Sequence, residues 1–544
     1  MSHKIKNIRK EIIKKMKKFS SYGPVNEKIH YHAPRTELIN QTYEQLIGDS
    51  LEIGHYITIW APRQTGKTWL MLNVINKIKK ENKFETGIIT LQSAKNETTD
   101  KGILEIFIKN MNEWFKKDFP LIDSWKNLSD IFSKNFFEKP LILVIDEFDS
   151  LSEEYINKFA NEFRDMYIKN INEAICGSDS KNYMLHGLAL VGVRSVLGIE
   201  NQTGSPFNVQ RSVQIPNFSF EEVKHIFKSY ETETRQKINN NVIKNIFYEF
   251  SGQPGLTCWF GELLTEKYNT DKSSIIEIDK FNDVYDLAKD VLPNNNILNI
   301  ISKARLSPYR EFLLEMFRTD EKIMFKYDNP EINFLYMNGV IEHEKADRGL
   351  NFVKFSSPYV QKRLFNYFSD ELFHYLGKLV DPFENLDEII TEKKLNINRL
   401  IKRYEIYLQK NKQWLLKDAP RRKDLRIFEA IYHFNLFMYL HNFLTPKNAS
   451  IYPEFPTGNG KIDIIIKYAQ QTYGIEIKTF TDEGGYKTAI SQAARYGLNL
   501  SLSEISLIFF VEYIDDSNRL KFETDYFDEE TSVVVLPVFV ATGN

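Results

Sequence analysis

Two sets of residues have the types and spacing to act on phosphates. One lies in KIDIIIKYAQQTYGIEIK, residues 461–478, where Asp463, Glu476 and Lys478 interrupt two isoleucine-rich runs. Strand side chains alternate faces, so Ile475 and Ile477 point one way and Glu476 and Lys478 the other. Two carboxylates suffice to hold Mg²⁺, which keeps several waters, polarises a phosphodiester and generates hydroxide. The ammonium orients the water or offsets the developing charge. A charged edge hairpin without chemistry is the plainer alternative.

The other set is APRQTGKT, residues 61–68, between a β-rich stretch and an amphipathic helix. It fits the Walker A pattern of a nucleotide-binding loop, with Ala61 in place of the usual first glycine. Ala61, Pro62, Arg63, Gln64 and Thr65 form the loop body, and Gly66 lets the backbone approach the phosphates. Lys67 offers a cation to the β and γ oxygens and Thr68 a hydroxyl to Mg²⁺, while the helix start adds amides and dipole. Downstream, PLILVIDEFDSL is an apolar strand ending in Asp146 and Glu147. Asp146 is expected to hold Mg²⁺ through water and Glu147 to orient the attacking water.

The elements that position these sets follow from pattern. HGLALVGVRSV reads as a further core strand ending in Arg194, a cation placed for the γ-phosphate; a surface arginine is the alternative. SGQPGLTCWFGELL opens a helix at Pro254, an ordinary first helical position. Acid-x-Lys triplets occur elsewhere, at Glu81/Lys83, Glu222/Lys224, Asp320/Lys322 and Glu392/Lys394, so context must distinguish Glu476/Lys478. Glu429 lies on a preceding apolar helix. Gln492 and Tyr496 share one face of the following helix at i, i+4. ISLIFFVEY and SVVVLPVFV then complete a sheet.

Two resemblances follow from these residues. FSSYGPVNEKIHYHAPR, APRQTGKT, LVIDEFDSL, VGVRSV, SPFNVQRSVQIPNFSFEEV and SGQPGL, in order over about 19–370, resemble bacterial AAA-like ATPases of the archaeal/STAND branch of P-loop NTPases. The resemblance implies ATP and Mg²⁺ as cofactors, Arg194 as the arginine ending the sensor strand, and Pro254 as the proline of the lid motif. It adds Arg211 as a further phosphate-sensing candidate. The order α-β-β-α-β over about 421–544, with D…E-x-K and Q-x-x-x-Y, resembles the PD-(D/E)XK nuclease superfamily. That implies Asp463, Glu476 and Lys478 as its core motif, Glu429 as an added metal ligand, and Gln492 and Tyr496 as its helix pair. Ile462 stands where the superfamily's name has proline.

The expected fold class is α/β: a P-loop NTPase core with helical lid, a winged helix, and a C-terminal α/β restriction-endonuclease-like domain. The expected boundaries are a basic lead-in at 1–35, ATPase core at 36–215, lid at 216–298, winged helix at 299–372, linker helices at 373–420 and nuclease-like domain at 421–544. Length alone, 544 residues, calls for several cores.

Net charge is −2, so nucleic-acid binding must use local patches. Residues 1–19 form one, with eight Lys/Arg against Glu11; a solvated surface helix is the plainer reading. NRLIKRYEIYLQKNKQW and PRRKDLR, with interleaved aromatics, form another, and the region 327–340 of the winged helix is poor in cations. Two cysteines, Cys176 and Cys258, allow neither a disulfide framework nor zinc spacing. With so few cysteines a reducing cytoplasm is the expected compartment, and no apolar run suits a signal peptide or a membrane span. The partner expected is nucleic acid, DNA first and RNA not excluded, with self-association through the ATPase domain and no membrane contact. The functional expectation is an ATP-hydrolysing protein with a Mg²⁺-dependent nuclease under nucleotide control. The alternative is a nucleotide-switched regulator with a non-catalytic nuclease-like domain.

Overall fold

The computed structural model describes residues 16–49, 54–176, 182–192, 211–318, 322–346, 349–381, 384–423, 425, 427–454, 463–480 and 482–543. The chain divides into two compact units, Met1–Leu298 with Lys326–Val340, and Asn299–Phe325 with Ile341–Asn544. Among the described residues no helix is long and apolar enough to cross a membrane.

The first unit runs α1 (Thr36–Ile47), β1 (Tyr56–Trp60), α2 (Lys67–Glu81), β2 (Glu85–Thr90), α3 (Asp100–Phe115), β3 (Leu141–Asp146), α4 (Glu153–Cys176), β4 (Leu185–Gly192) and β5 (Arg211–Gln214). Among the described residues these strands form a five-stranded sheet in the order β2-β3-β4-β1-β5, and every pairing is parallel. A parallel sheet is covered on both faces, which is why β1, β3 and β4 are runs of apolar residues rather than alternations. Leu141, Leu143 and Ile145 join the core under α3 and α4, and Ile142 and Val144 join the core under α1 and α2.

Helices α5 (Phe220–Thr234), α6 (Asn240–Phe250), α7 (Pro254–Glu262) and α8 (Ile278–Asp290) follow. Ser219 and Glu222 start α5 with a reciprocal capping box. The lead-in segment packs on this helical layer: Phe19 and Tyr31 are buried against Phe227 and Tyr230. The basic run through Lys15 lies outside the described residues.

After α9 (Asn295–Ala304) and α10 (Tyr309–Arg318) come α11 (Pro330–Met337) and the hairpin β6 (Ile341–Lys345) and β7 (Asn351–Phe355). Helix α11 falls in the first unit, whereas α10 and the hairpin fall in the second. The region 327–340, poor in cations, packs on the strand ahead of the phosphate loop: Gln214 Nε2 donates to the Tyr336 hydroxyl at 2.6 Å, and Tyr336 stands edge-on to Trp60.

The second unit continues with α12 (Pro358–Phe373), α13 (Ile397–Leu415), α14 (Glu429–Leu444), β8 (Ser450–Glu454), β9 (Asp463–Tyr468), β10 (Gln471–Thr479), α15 (Glu483–Asn499), β11 (Glu504–Val511), α16 (Asp516–Phe522), β12 (Tyr526–Asp528) and β13 (Val533–Ala541). Its sheet has six strands among the described residues, ordered β12-β13-β11-β10-β9-β8. The meander β8-β9-β10 is antiparallel, and β10, β11 and β13 are parallel. Helix α15 covers one face through Ala489, Ile490, Ala493 and Ala494 on Leu507, Phe509 and Phe539. On the other face Phe510 meets Tyr404 of α13 and stacks on Tyr432 of α14.

Strand β8 is absent from the sequence reading. It contains Pro453, which lacks an amide donor and is tolerated because β8 is an edge strand. The stretch expected as a linker is different too. Helix α13 buries Leu400, Tyr404, Tyr407 and Leu408 against the sheet. Three of its cations have partners within the unit: Arg403 pairs with Glu384 and Lys402 with Glu523, and Lys412 Nζ donates to the Gly543 carbonyl at 2.9 Å. Arg399 and Lys410 are exposed.

Candidate functional site

The phosphate loop is held between the end of β1 and the start of α2. Thr65 Oγ1 donates to the Pro62 carbonyl at 2.8 Å, Gln64 sits in the left-handed region, and Gly66 caps α2 at φ 92°. Lys67 Nζ donates to the carbonyls of Ala61 at 2.8 Å and Pro62 at 3.0 Å. The Thr68 hydroxyl donates to Asp146 Oδ2 at 2.7 Å, so a hydroxyl and a carboxylate stand side by side although 78 residues separate them. These hard oxygen donors fit Mg²⁺. Strand β4 lies between β1 and β3 in the sheet, which brings the ends of both strands to one edge.

The electrostatics centre on Lys67. Burial pulls its ammonium down from the ordinary lysine range, opposed by the carboxylates of Asp149, Glu147 and Asp146. Glu147, in the left-handed region directly after β3, has its carboxyl raised by partial burial and then by Asp149 and Asp146. Asp149 escaped the sequence reading. Its carboxylate packs against Gly192, the last residue of β4; a Cβ there would fall 2.8 Å from Asp149 Oδ1. The third acid of IDEFD, one turn beyond Asp146, was the available signal.

The start of α7 rests on the loop. Gln253 caps the helix, accepting from the Leu256 amide at 2.5 Å, and its Nε2 donates to the Arg63 carbonyl at 2.9 Å. The Gly255 amide donates to the Gln64 carbonyl at 3.0 Å. Gly255 is required here, because a Cβ would lie 2.5 Å from Gln64 Cβ. Pro254 is buried at the first helical position, and the residues beside it, Gln253 and Gly255, make the contact. The signal for this pairing is through space, not in the motif.

Arg211 stands at the start of β5. It is registered with Ile57, three residues before the loop end of β1, roughly 10 Å away along the strand. Arg194 lies outside the described residues.

In the second unit, Asp463 and Glu476 are direct partners across β9 and β10, so both side chains leave the same face. Both are 0% exposed, and Lys478 is 7% exposed. Lys478 Nζ lies 3.6 Å from Glu476 Oε1. Two buried carboxylates with a lysine at their side form an oxygen donor set of the kind Mg²⁺ takes. Among the described residues no three His, Cys, Asp or Glu side chains converge as a metal cluster, so Glu429 is not gathered with Asp463 and Glu476. It stands in the first turn of α14, half-buried, where its charge acts on Tyr432. On α15, Gln492 is exposed, and Tyr496 packs against the apolar cluster beneath that helix. A residue the sequence reading passed over is Glu454 on β8, registered with Asp463.

The parallel sheet, loop and acid-ended strand of the first unit resemble a P-loop NTPase core. Residues 22–280 match the family described as AAA-like domain. No curated protein matches the sequence. Similar solved structures include the Walker-type ATPase PABY2304 of Pyrococcus abyssi, at 16% identity and TM-score 0.40, over 64% of this chain and 99% of that one. The Aeropyrum pernix ORC1 protein in complex with DNA is similar at 13% identity and TM-score 0.33, over 61% and 92%. Cdc6p from Pyrobaculum aerophilum is similar at 13% and 0.33, over 65% and 97%.

Proposed function

We propose that the chain couples ATP hydrolysis to a Mg²⁺-dependent nuclease that cleaves nucleic acid, with DNA the favoured substrate, in genome defence, mobile-element biology or repair. The observation that carries the nuclease reading is the register pair Asp463–Glu476, buried, with Lys478 one step along the same face. Charged groups are rarely buried inside a β-meander for stability alone, because desolvation offsets their mutual attraction. The order α14-β8-β9-β10-α15-β11 around them supports a PD-(D/E)XK-like core. Mg²⁺ would sit at Asp463 and Glu476 and supply polarisation of the phosphate; Lys478 would hold the water. In the ATPase domain Thr68 and Asp146 would hold Mg²⁺, Lys67 would meet the phosphates, and Glu147 would orient water.

Nucleotide control is part of the reading. Three helices and a hairpin, α9-α10-α11-β6-β7, support a winged helix that packs rather than reads DNA. Within the first unit, Gly339 (φ 73°) lies so close to the loop that a Cβ would come 2.9 Å from Pro62 Cβ. Two residues later the chain enters β6 of the second unit. A shift of the loop on binding nucleotide therefore has a covalent route of two residues into the hairpin. Self-association through the ATPase domain belongs to the same proposal.

A second reading is favoured because, among the described residues, no three acids converge as a metal cluster: a nucleotide-switched regulator whose sheet unit binds DNA or a protein without cutting. Incubating the purified chain with single-stranded DNA, duplex DNA and RNA, with and without ATP and Mg²⁺, decides between them. Metal-dependent cleavage lost in Asp463→Ala supports the nuclease. No cleavage of any form supports the regulator.

A further inference from the structure

Three carboxylates stand in one row across three strands. Glu454 on β8 is registered with Asp463 on β9, and Asp463 with Glu476 on β10. Directly opposed side chains on adjacent strands have Cβ atoms about 5 Å apart and leave the same face. At one end of the row Lys478 pairs with Glu476. At the other end Lys362 Nζ lies 3.5 Å from Glu454 Oε2. Lys362 is not part of the sheet. It belongs to α12, which begins just after β7 and packs Phe365 and Phe368 on Phe434 of α14. Its side chain is only 7% exposed, whereas Glu454 is 38% exposed. The Glu454 carboxylate compensates a lysine held that far from water.

We propose that Lys362 is a positioning residue of the nuclease site, acting through Glu454 to set the charge of the carboxylate row; this rests on the nuclease reading above. Lys478 and Lys362 each offset a carboxylate of the row. Without Lys362 the row would carry one more negative charge: the cation would bind more tightly, and the loaded site would attract the anionic phosphodiester less. The ammonium thus limits metal affinity in favour of substrate binding, and it does so from a helix next to the hairpin.

The test is Ca²⁺ titration of the nucleotide-free full chain by calorimetry, each variant referred to Asp463→Asn to remove binding elsewhere. Lys362→Met is expected to tighten Ca²⁺ binding roughly tenfold and Glu454→Gln to weaken it by a similar factor, since each changes the row by one charge at short range. Lys362→Met/Glu454→Gln removes one charge of each sign and is expected to return near the original affinity, as is Lys362→Arg. In Mg²⁺-driven cleavage Lys362→Met should raise KM for DNA more than it lowers kcat. A packing role alone would not give shifts of opposite sign with recovery in the double variant. Shifts of the same sign, or none, overturn the inference, and Glu454→Gln keeps the test alive if Lys362→Met fails to fold. If Asp463→Asn itself leaves Ca²⁺ binding unchanged, the nuclease reading has failed instead.

Discussion

Asp463 and Glu476 are paired residue to residue across β9 and β10, and neither side chain reaches solvent. Asp463→Ala, Glu476→Ala and Lys478→Ala should each reduce metal-dependent cleavage by at least about 100-fold. ATP binding should stay unchanged, because the phosphate loop lies in the other unit. Cleavage assays beside nucleotide-binding titrations check this. Cleavage persisting in Asp463→Ala, with contaminating nuclease excluded, would remove the assignment.

In the ATPase domain, Lys67→Ala should weaken nucleotide binding. Glu147→Gln should bind normally and hydrolyse about 100-fold or more slowly, since the role proposed for Glu147 is on the attacking water rather than on ground-state phosphates. Steady-state hydrolysis with a separate binding measurement separates the two. Wild-type turnover in Glu147→Gln would contradict the role given to it.

The docking of α7 on the loop predicts a further effect. Gly255→Val places a side chain where Gln64 Cβ already stands, so the helix start must lift from the loop. Nucleotide affinity should fall while the melting temperature of the second unit is kept. Gln253→Ala, which removes the bond to the Arg63 carbonyl, should act in the same direction and less strongly. Unchanged affinity in both would show that the contact has no part in binding.

Cys258 lies wholly inside α7, and burial pushes its thiol up to about 12. A raised value means the neutral thiol persists at pH 8, with roughly 1,000-fold less thiolate than an ordinary cysteine. In Cys176→Ser, a thiol reagent at pH 8 should therefore react slowly with the folded chain and promptly after denaturation. Prompt labelling of the native chain would show that α7 leaves its place readily.

Nucleotide control predicts different initial cleavage rates with saturating ATP, ADP and no nucleotide at constant free Mg²⁺. Tyr336→Phe, which keeps the ring against Trp60 but removes the acceptor of the Gln214 bond, should shrink the difference more than it changes ATP affinity. Arg194→Ala should do likewise. Equal rates in all three states would mean two independent activities.

What could be read from the residues beforehand was the chemistry carried by fixed local spacing. Lys67, Thr68 and Asp146 announce themselves because loop, helix start and strand end are contiguous motifs. Asp463, Glu476 and Lys478 do so because charges break an apolar alternation. The residues that escaped act through space. Gln253 and Gly255 matter only because α7 reaches a loop nearly 190 residues earlier, and Glu454 only because β8 lies beside β9. Helix α13 was read by composition, as a basic segment, while the periodicity of Leu400, Tyr404, Tyr407 and Leu408 carried its buried face.

The discontinuity of the two units constrains how such a protein can arise. The chain passes between them at 298–299, 325–326 and 340–341. A single crossover in the gene at either of the first two points would leave Trp60 and Gln214 on one parental sequence and Tyr336 on the other, and one at 340–341 would part Phe317 from its partners Phe355 and Phe434. The second unit therefore cannot be exchanged by simple end-joining, as a bead on a string can. Ancestors that traded it must have traded a segment with both flanks matched, and the pair is expected to be inherited, and to diverge, as one piece.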